Sequence, residues 1–317
     1  MRAAFLDLSS LGPSDLDFSS LQASVGALVT YDYTSPEQLL ERLQGMQIAI
    51  VNKVVLSADT LAQLPELKHI LVAATGTNNV DLQQARQLGI SVQNCQAYGV
   101  DSVAQHALML MLTLSTRLLD YREAIQQGKW SQSRNFCLLD FPVESLAGKT
   151  LGIVGYGELG KGVAKLAEAF GMRVVIATRP GQGSNAERLS LADMLPQVDI
   201  LSLHCPLTPA TTNLIALPQM QAMKPSALLI NCARGGIVNE ADLILALQAK
   251  EIAGAATDVL SVEPPPADHP LLQYQEHNLI ITPHSAWASR KARQTIVHQL
   301  AANILSLASP QPQFLLQ

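Results

Sequence analysis

Gly155-Tyr156-Gly157-Glu158-Leu159-Gly160 follows directly on the apolar run Thr150 to Val154 and opens a segment, Leu159 to Phe170, of helical periodicity. Glycines at this spacing, between a strand and a helix, are compatible with few folds. The first allows a sharp turn, the second lets the backbone come close to a pyrophosphate, and the third lets helix and strand pack tightly. N–H groups at the helix start face such an anion, and the helix dipole adds to the attraction. A second strand, Arg173 to Ala177, completes the unit. A dinucleotide is therefore the expected ligand, held by Gly155, Gly157, Glu158, Leu159 and Gly160.

The rest of the chain alternates in the same way. Strands are expected at Ile48 to Val51, Ile70 to Ala73 and Ile90 to Gln93, and helices at Pro36 to Leu43, Ser57 to Ala62 and Asp81 to Leu88. Such alternation predicts βαβ units around a mainly parallel sheet. Met1 to Leu6 reads as a first strand, because Asp7 ends the apolar stretch too early for a signal sequence. Beyond the glycine turn, strands are expected at Ile200 to Leu203, Ala227 to Asn231, Ala253 to Thr257 and Leu279 to Thr282. Between the two series, one long helix is predicted through Ala107 to Leu112 toward Arg122, capped by Asp101 or Ser102. Ser289 to Ala308 has a helical period and is expected to return to the first series.

A length of 317 residues, about twice that of a usual domain, implies two such units. The fold class expected is α/β, with two Rossmann-like doubly wound parallel-sheet domains and a cleft between them. Residues 1–100 with 287–317 are assigned to a flavodoxin-like substrate domain, and 101–286 to the dinucleotide domain. Gly128 to Glu144 is a connection too long for a tight turn.

A net charge of -5 with no basic run argues against a nucleic-acid surface. The most apolar helical stretch, Ala107 to Leu114, is far short of the roughly 20 residues a membrane crossing requires, so no membrane partner is expected. Cys95, Cys137, Cys205 and Cys232 form no C-x-x-C pair and have no histidine at metal-ligand spacing. They read as reduced, mostly buried thiols of a cytoplasmic protein, and no metal is expected.

The strand after the glycine turn normally ends in an acid that holds the adenosine 2′-hydroxyl of NAD. Here it ends Ala177-Thr178-Arg179-Pro180. A guanidinium at Arg179 suits the 2′-phosphate of NADP, which favours NADP(H) and leaves NAD(H) open. The plainer alternative is an arginine extended into solvent.

Three further segments place polar groups straight after apolar strands, where open α/β sheets bind ligands. They are Asn231-Cys232-Ala233-Arg234-Gly235-Gly236, Asp258-Val259-Leu260-Ser261-Val262-Glu263-Pro264 and Thr282-Pro283-His284-Ser285-Ala286. With the glycine turn and His204-Cys205-Pro206-Leu207-Thr208, in this order and over nearly the whole chain, they resemble the D-2-hydroxyacid dehydrogenase family.

That resemblance implies Arg234, Glu263 and His284 as the catalytic set. Reduction of a 2-keto acid needs a hydride at the carbonyl carbon and a proton at its oxygen, and histidine can supply the proton near neutrality. His284 is the expected general acid. Glu263 would fix its ring and favour the charged form, while the planar fork of Arg234 would grip the carboxylate or keto oxygen. Cofactor contacts are implied at Thr178, Arg179, His204, Cys205, Pro206, Thr211, Cys232, Ala233, Arg234, Asp258, His284 and Ala286. Singly, each has a plainer reading: Arg234 as a surface charge, Glu263 as a solvated carboxylate, His284 as a core histidine, Asp258 as a turn cap.

In the first series, Ala74-Thr75-Gly76-Thr77-Asn78-Asn79-Val80-Asp81 resembles the family's carboxylate-binding loop, with the Thr75 and Gly76 amides as donors; Asn52 and Lys53 are expected to line the same pocket. Gln105 departs from the glutamate many relatives carry. The family reaction is hydride transfer between NAD(P)H and a small 2-keto acid, giving the D-2-hydroxy acid. Arg134 to Phe141 with Asn52-Lys53 is most similar to the glycerate dehydrogenase, or hydroxypyruvate reductase, branch, which points to hydroxypyruvate and glyoxylate. Phosphoglycerate and formate dehydrogenases and a dinucleotide-sensing corepressor are the alternatives. The chain is expected to end too soon for the regulatory unit of the first. The resemblance also implies a homodimer, with Leu112 to Trp130 and the following segment as its contact.

Overall fold

The structure, a computed structural model, describes residues 1–307. The chain divides into two compact units: Met1–Gly99 with the described residues from Ala288 on, and Val100–Trp287.

The first unit is built on β1 (Arg2–Phe5), β2 (Ala27–Thr30), β3 (Ile48–Val51), β4 (His69–Val72) and β5 (Ser91–Asn94). The strands are all parallel, in the order β2-β1-β3-β4-β5. Every residue of β3 is buried, as expected of a central strand covered on both faces. The edge strand β2 is only half-buried. The strand order reverses between β1 and β3, so ligand-facing loops are expected beyond their carboxyl ends. The C-terminal helix Arg290–Ser306 is capped by Ser289 and buries Ile296, Val297, Leu300 and Ile304. Ala308, expected within this helix, lies outside the described residues.

The second unit holds β6 (Thr150–Val154), β7 (Arg173–Ile176), β8 (Ile200–Leu203), β9 (Leu228–Asn231), β10 (Gly254–Thr257) and β11 (Leu279–Ile281). They form one parallel sheet, ordered β11-β10-β9-β8-β6-β7. An isolated bridge from Ala177 to Leu189 extends it beyond β7. With that bridge the order is that of the doubly wound dinucleotide fold, plus one added strand. Successive residues face opposite layers: Leu151, Ile153 and Ile230 join one core, Val154, Leu201 and Leu229 the other. Truncating a fully buried side chain such as Ile153 to alanine would cost about 2–5 kcal/mol.

The single helix expected toward Arg122 is two, Val100–Ser115 and Leu118–Gln126. Arg117, at φ 52°, breaks it and donates from Nε to Asp120 Oδ2 at 2.6 Å. The Thr113 and Thr116 hydroxyls bond back to Met109 O at 2.8 Å and Leu112 O at 2.7 Å, competing with the helix at its last turn. Asp101 and Ser102 lie inside the first turn, where Ser102 Oγ donates to Ala286 O at 2.6 Å, so neither is the cap. Among the described residues no helix is long and apolar enough to cross a membrane.

Candidate active site

In the second unit the strand order reverses between β6 and β8, and the glycine turn lies at that point. Gly155 sits at φ +95°, and a Cβ there would stand 2.5 Å from Cys205 N and 2.6 Å from His204 O. A Cβ at Gly160 would fall 2.2 Å from Gly155 O, so the start of the helix Glu158–Ala169 can approach the turn only without a side chain. At Gly157 the same test meets nothing within 4 Å. Gly157 is also the N-cap of that helix, without a side-chain capping bond. An open cradle over an uncapped helix start fits a pyrophosphate. Facing it across the switch point, His204 bonds Ser202 Oγ through Nε2 at 2.8 Å, while its Nδ1 is buried with no partner among the described residues. Desolvation pushes the His204 pKa down to about 4, so the ring is neutral near pH 7.

Other expected cofactor contacts shape the loops that carry them. Thr211 Oγ1 donates to Pro206 O at 2.7 Å and accepts the Thr208 N–H at 2.7 Å. Thr178 Oγ1 donates to Gln182 O at 2.8 Å, and Arg179 beyond it is exposed. Cys205, Cys232 and Ala233 are buried, and burial raises both thiols above the ordinary range.

Arg234, Glu263 and His284 follow β9, β10 and β11, which are neighbours in the sheet. Glu263 Oε2 and His284 Nδ1 are 2.6 Å apart. The other carboxylate oxygen of Glu263 accepts the Leu260 N–H at 2.8 Å, which fixes the acid independently of the ring. With Nδ1 directed at the carboxylate, His284 has Nε2 for a transferable proton. Arg234 is exposed, its Nη1 donating to Ala233 O at 2.7 Å. The Asn231 side chain folds this turn, donating to Arg234 O at 3.0 Å and accepting the Ala233 N–H at 3.1 Å.

Asp258 is buried and fully engaged. It accepts the Thr282 hydroxyl at 2.6 Å and the Ser285 and Ala286 N–H groups at 2.9 Å each, and its carbonyl accepts the His284 N–H at 2.8 Å. Its carboxylate thus caps the turn that bears His284, which sits at φ 51°. His106 stands behind this turn with Nε2 3.0 Å from Thr282 Oγ1 and 3.6 Å from Asp258 Oδ1. No spacing in the sequence links residues so far apart.

In the first unit, Asp7 is the residue the sequence reading missed. Its buried carboxylate accepts N–H groups from Asn52 at 2.9 Å, Lys53 at 2.6 Å and Val54 at 3.2 Å. The Asn52 side chain donates to Ser10 Oγ at 3.0 Å. Asn79 Nδ2 donates to Val54 O at 2.9 Å and Asn94 Nδ2 to Thr75 O at 2.7 Å, which stitches the Thr75-Gly76 loop to the Asn52-Lys53 loop.

A cavity of about 360 Å³ in the second unit lies elsewhere, at the amino ends of the strands. Lys149, Asp199 and Asn278 line it, each immediately before a strand. It is therefore separate from the carboxyl-edge chemistry.

Comparison with known proteins gives a consistent result. Residues 108–286 match the model of the D-isomer specific 2-hydroxyacid dehydrogenase, NAD binding domain. The chain is 44% identical over 306 residues to a glycerate dehydrogenase of Methylorubrum extorquens, covering 94% of this chain and 96% of that one. It is 35% identical over 312 residues to a hydroxypyruvate reductase of Blautia hydrogenotrophica, covering 96% of each. A protein of known crystal structure from Thermus thermophilus superposes with a TM-score of 0.83 at 31% identity, over 100% of both chains. The chain belongs to the D-isomer specific 2-hydroxyacid dehydrogenase family and is a nicotinamide-dinucleotide-dependent oxidoreductase of that type.

Proposed function

We propose that the protein reduces hydroxypyruvate to D-glycerate and glyoxylate to glycolate, and reverses these reactions when the hydroxy acid is in excess. The observation that carries this reading is the 2.6 Å pair of Glu263 and His284, on the loops following β10 and β11, beside the strand that leads to Arg234. A bound reduced nicotinamide supplies the hydride that the carbonyl carbon receives. The Arg234 guanidinium polarises the carbonyl and holds the adjoining carboxylate. His284 Nε2 gives its proton to the carbonyl oxygen, and Glu263 offsets the charge the ring carries before that step. A formate-type reaction moves a hydride with no accompanying proton, and a binding protein needs no acid, so neither reading uses this pair.

In the first unit the Thr75 and Gly76 amides, on a loop stitched to that of Asn52 and Lys53, are proposed as a carboxylate-binding loop. The absence of an acid after β7, with Arg179 there instead, favours NADP(H). We assign the active form to a homodimer and, with four unpaired cysteines, to the cytoplasm. The test is a steady-state assay of hydroxypyruvate, glyoxylate and pyruvate with NADH and with NADPH. The highest kcat/KM is expected for hydroxypyruvate with NADPH. Absence of turnover on all of them would refute the reading.

A further inference from the structure

Glu240 opens the helix Glu240–Gln248, just after the turn that carries Arg234 and Gly235. The cap of that helix is Asn239, whose side chain accepts the Asp242 N–H, so the Glu240 carboxylate has no capping role. Both its oxygens face the loop after β10. Oε1 accepts the Ser261 N–H at 2.7 Å and Oε2 accepts the Ser261 hydroxyl at 2.8 Å. His269 Nε2 lies 3.2 Å from the same Oε2. Its other nitrogen, Nδ1, accepts the Leu271 N–H at 3.3 Å, so in the neutral ring the proton is on Nε2 and is donated to Glu240.

One carboxylate therefore grips the segment 261–269 at both ends, and Glu263 lies between them. The loop is also seated on the arginine turn: a Cβ at Gly235 would stand 1.9 Å from Leu260 O and 2.5 Å from Ser261 N. We infer that Glu240 is a positioning residue for the proton transfer, holding the Glu263 loop in the place where its carboxylate meets His284 and its backbone meets the Arg234 turn. Among the described residues, Glu240 contacts this loop through Ser261 and His269 rather than the reacting groups themselves. The inference rests on the functional reading above.

A double-mutant cycle tests it, measuring kcat for hydroxypyruvate reduction and NADPH affinity in wild type, Glu240→Ala, Glu263→Ala and the double variant. Displacing the acid in the wild-type background is expected to lower kcat by about 10- to 100-fold while NADPH affinity changes by less than about 2-fold. On the Glu263→Ala background the same substitution should cost less than about 2-fold, because the group it positions is gone. Glu240→Gln keeps an acceptor for the Ser261 N–H and should recover part of the loss. An equal loss on both backgrounds, or none on either, overturns the clamp. Should Glu240→Ala fail to fold, Ser261→Ala, which removes only the hydroxyl contact, enters the cycle in its place under the same criteria. Wild-type turnover in Glu263→Ala would refute the functional reading along with the clamp, whereas loss there with none in Glu240→Ala refutes the clamp alone.

Discussion

At the scale of single residues the proposed chemistry is concentrated in His284, whose partner Glu263 is held by a backbone N–H as well as by the ring. Replacing His284 by alanine removes the acid but none of the glycine cradle. kcat should fall on the order of 100-fold or more with cofactor affinity largely kept, as steady-state kinetics and fluorescence titration would show. Arg179 is the opposite case, since it is exposed and its expected partner is a phosphate. Arg179→Ala should weaken NADPH by about 10-fold and NADH far less; equal losses would defeat the assignment. His204 makes a claim about pH. Burial lowers its pKa from 6.5 to about 4, so between those values the unfolded chain binds the proton more readily than the folded one. Stability from this group is fully present above pH 6.5 and is lost as pH falls toward 4, by roughly 3 kcal/mol. Urea unfolding at pH 7 and 4.5 should show a smaller pH loss in His204→Asn than in wild type. An unchanged slope would mean that His204 titrates normally.

At the scale of elements, the three glycines of the turn have separable duties. Gly160→Ala forces a Cβ to 2.2 Å from Gly155 O and must push the helix Glu158–Ala169 away from β6. Such overpacking costs about 1–3 kcal/mol, several degrees of Tm, and should weaken the cofactor too. Gly157→Ala adds a methyl where the protein has nothing within 4 Å, at an ordinary φ of -84°. Its Tm should stay within about 2 °C of wild type while cofactor affinity falls by about 10-fold or more, because only the ligand occupies that space. Full affinity in Gly157→Ala would place the pyrophosphate elsewhere. The same contrast explains what could be read from the sequence. Strands buried on both faces announce themselves as apolar runs, and glycines fixed by local geometry keep their spacing. The helix break at Arg117 depends on one arginine taking a left-handed conformation and reaching Asp120, which no periodicity encodes. Asp7, His106 and Glu240 act across 45, 176 and 21 residues of chain, and an isolated polar residue carries no sign of so distant a partner.

At the scale of the whole molecule, what remains unexplained by the fold is the apolar surface of 118–143. Phe136 is 91% exposed and Leu139 85%, with Leu118, Ile125, Trp130 and Val143 each more than half exposed. The segment nonetheless has a defined form. Trp130 Nε1 donates to Phe136 O at 2.9 Å, Tyr121 Oη donates to Phe141 O at 2.8 Å, and the Tyr121 and Phe141 rings meet edge-on at 5.2 Å. Ordered backbone that presents apolar side chains outward is costly unless another surface covers them, and a monomer rarely leaves a large contiguous patch open. The self-association proposed above would remove that cost, because the same side chains on a second copy can cover each other about a two-fold axis. Sedimentation equilibrium at micromolar concentration should therefore give about twice the 34.0 kDa chain mass. Phe136→Asp with Leu139→Asp should return it to the chain mass without changing the far-UV spectrum, since neither side chain is buried in its own unit. A wild type that sediments at the mass of one chain would leave these side chains without the partner argued for them.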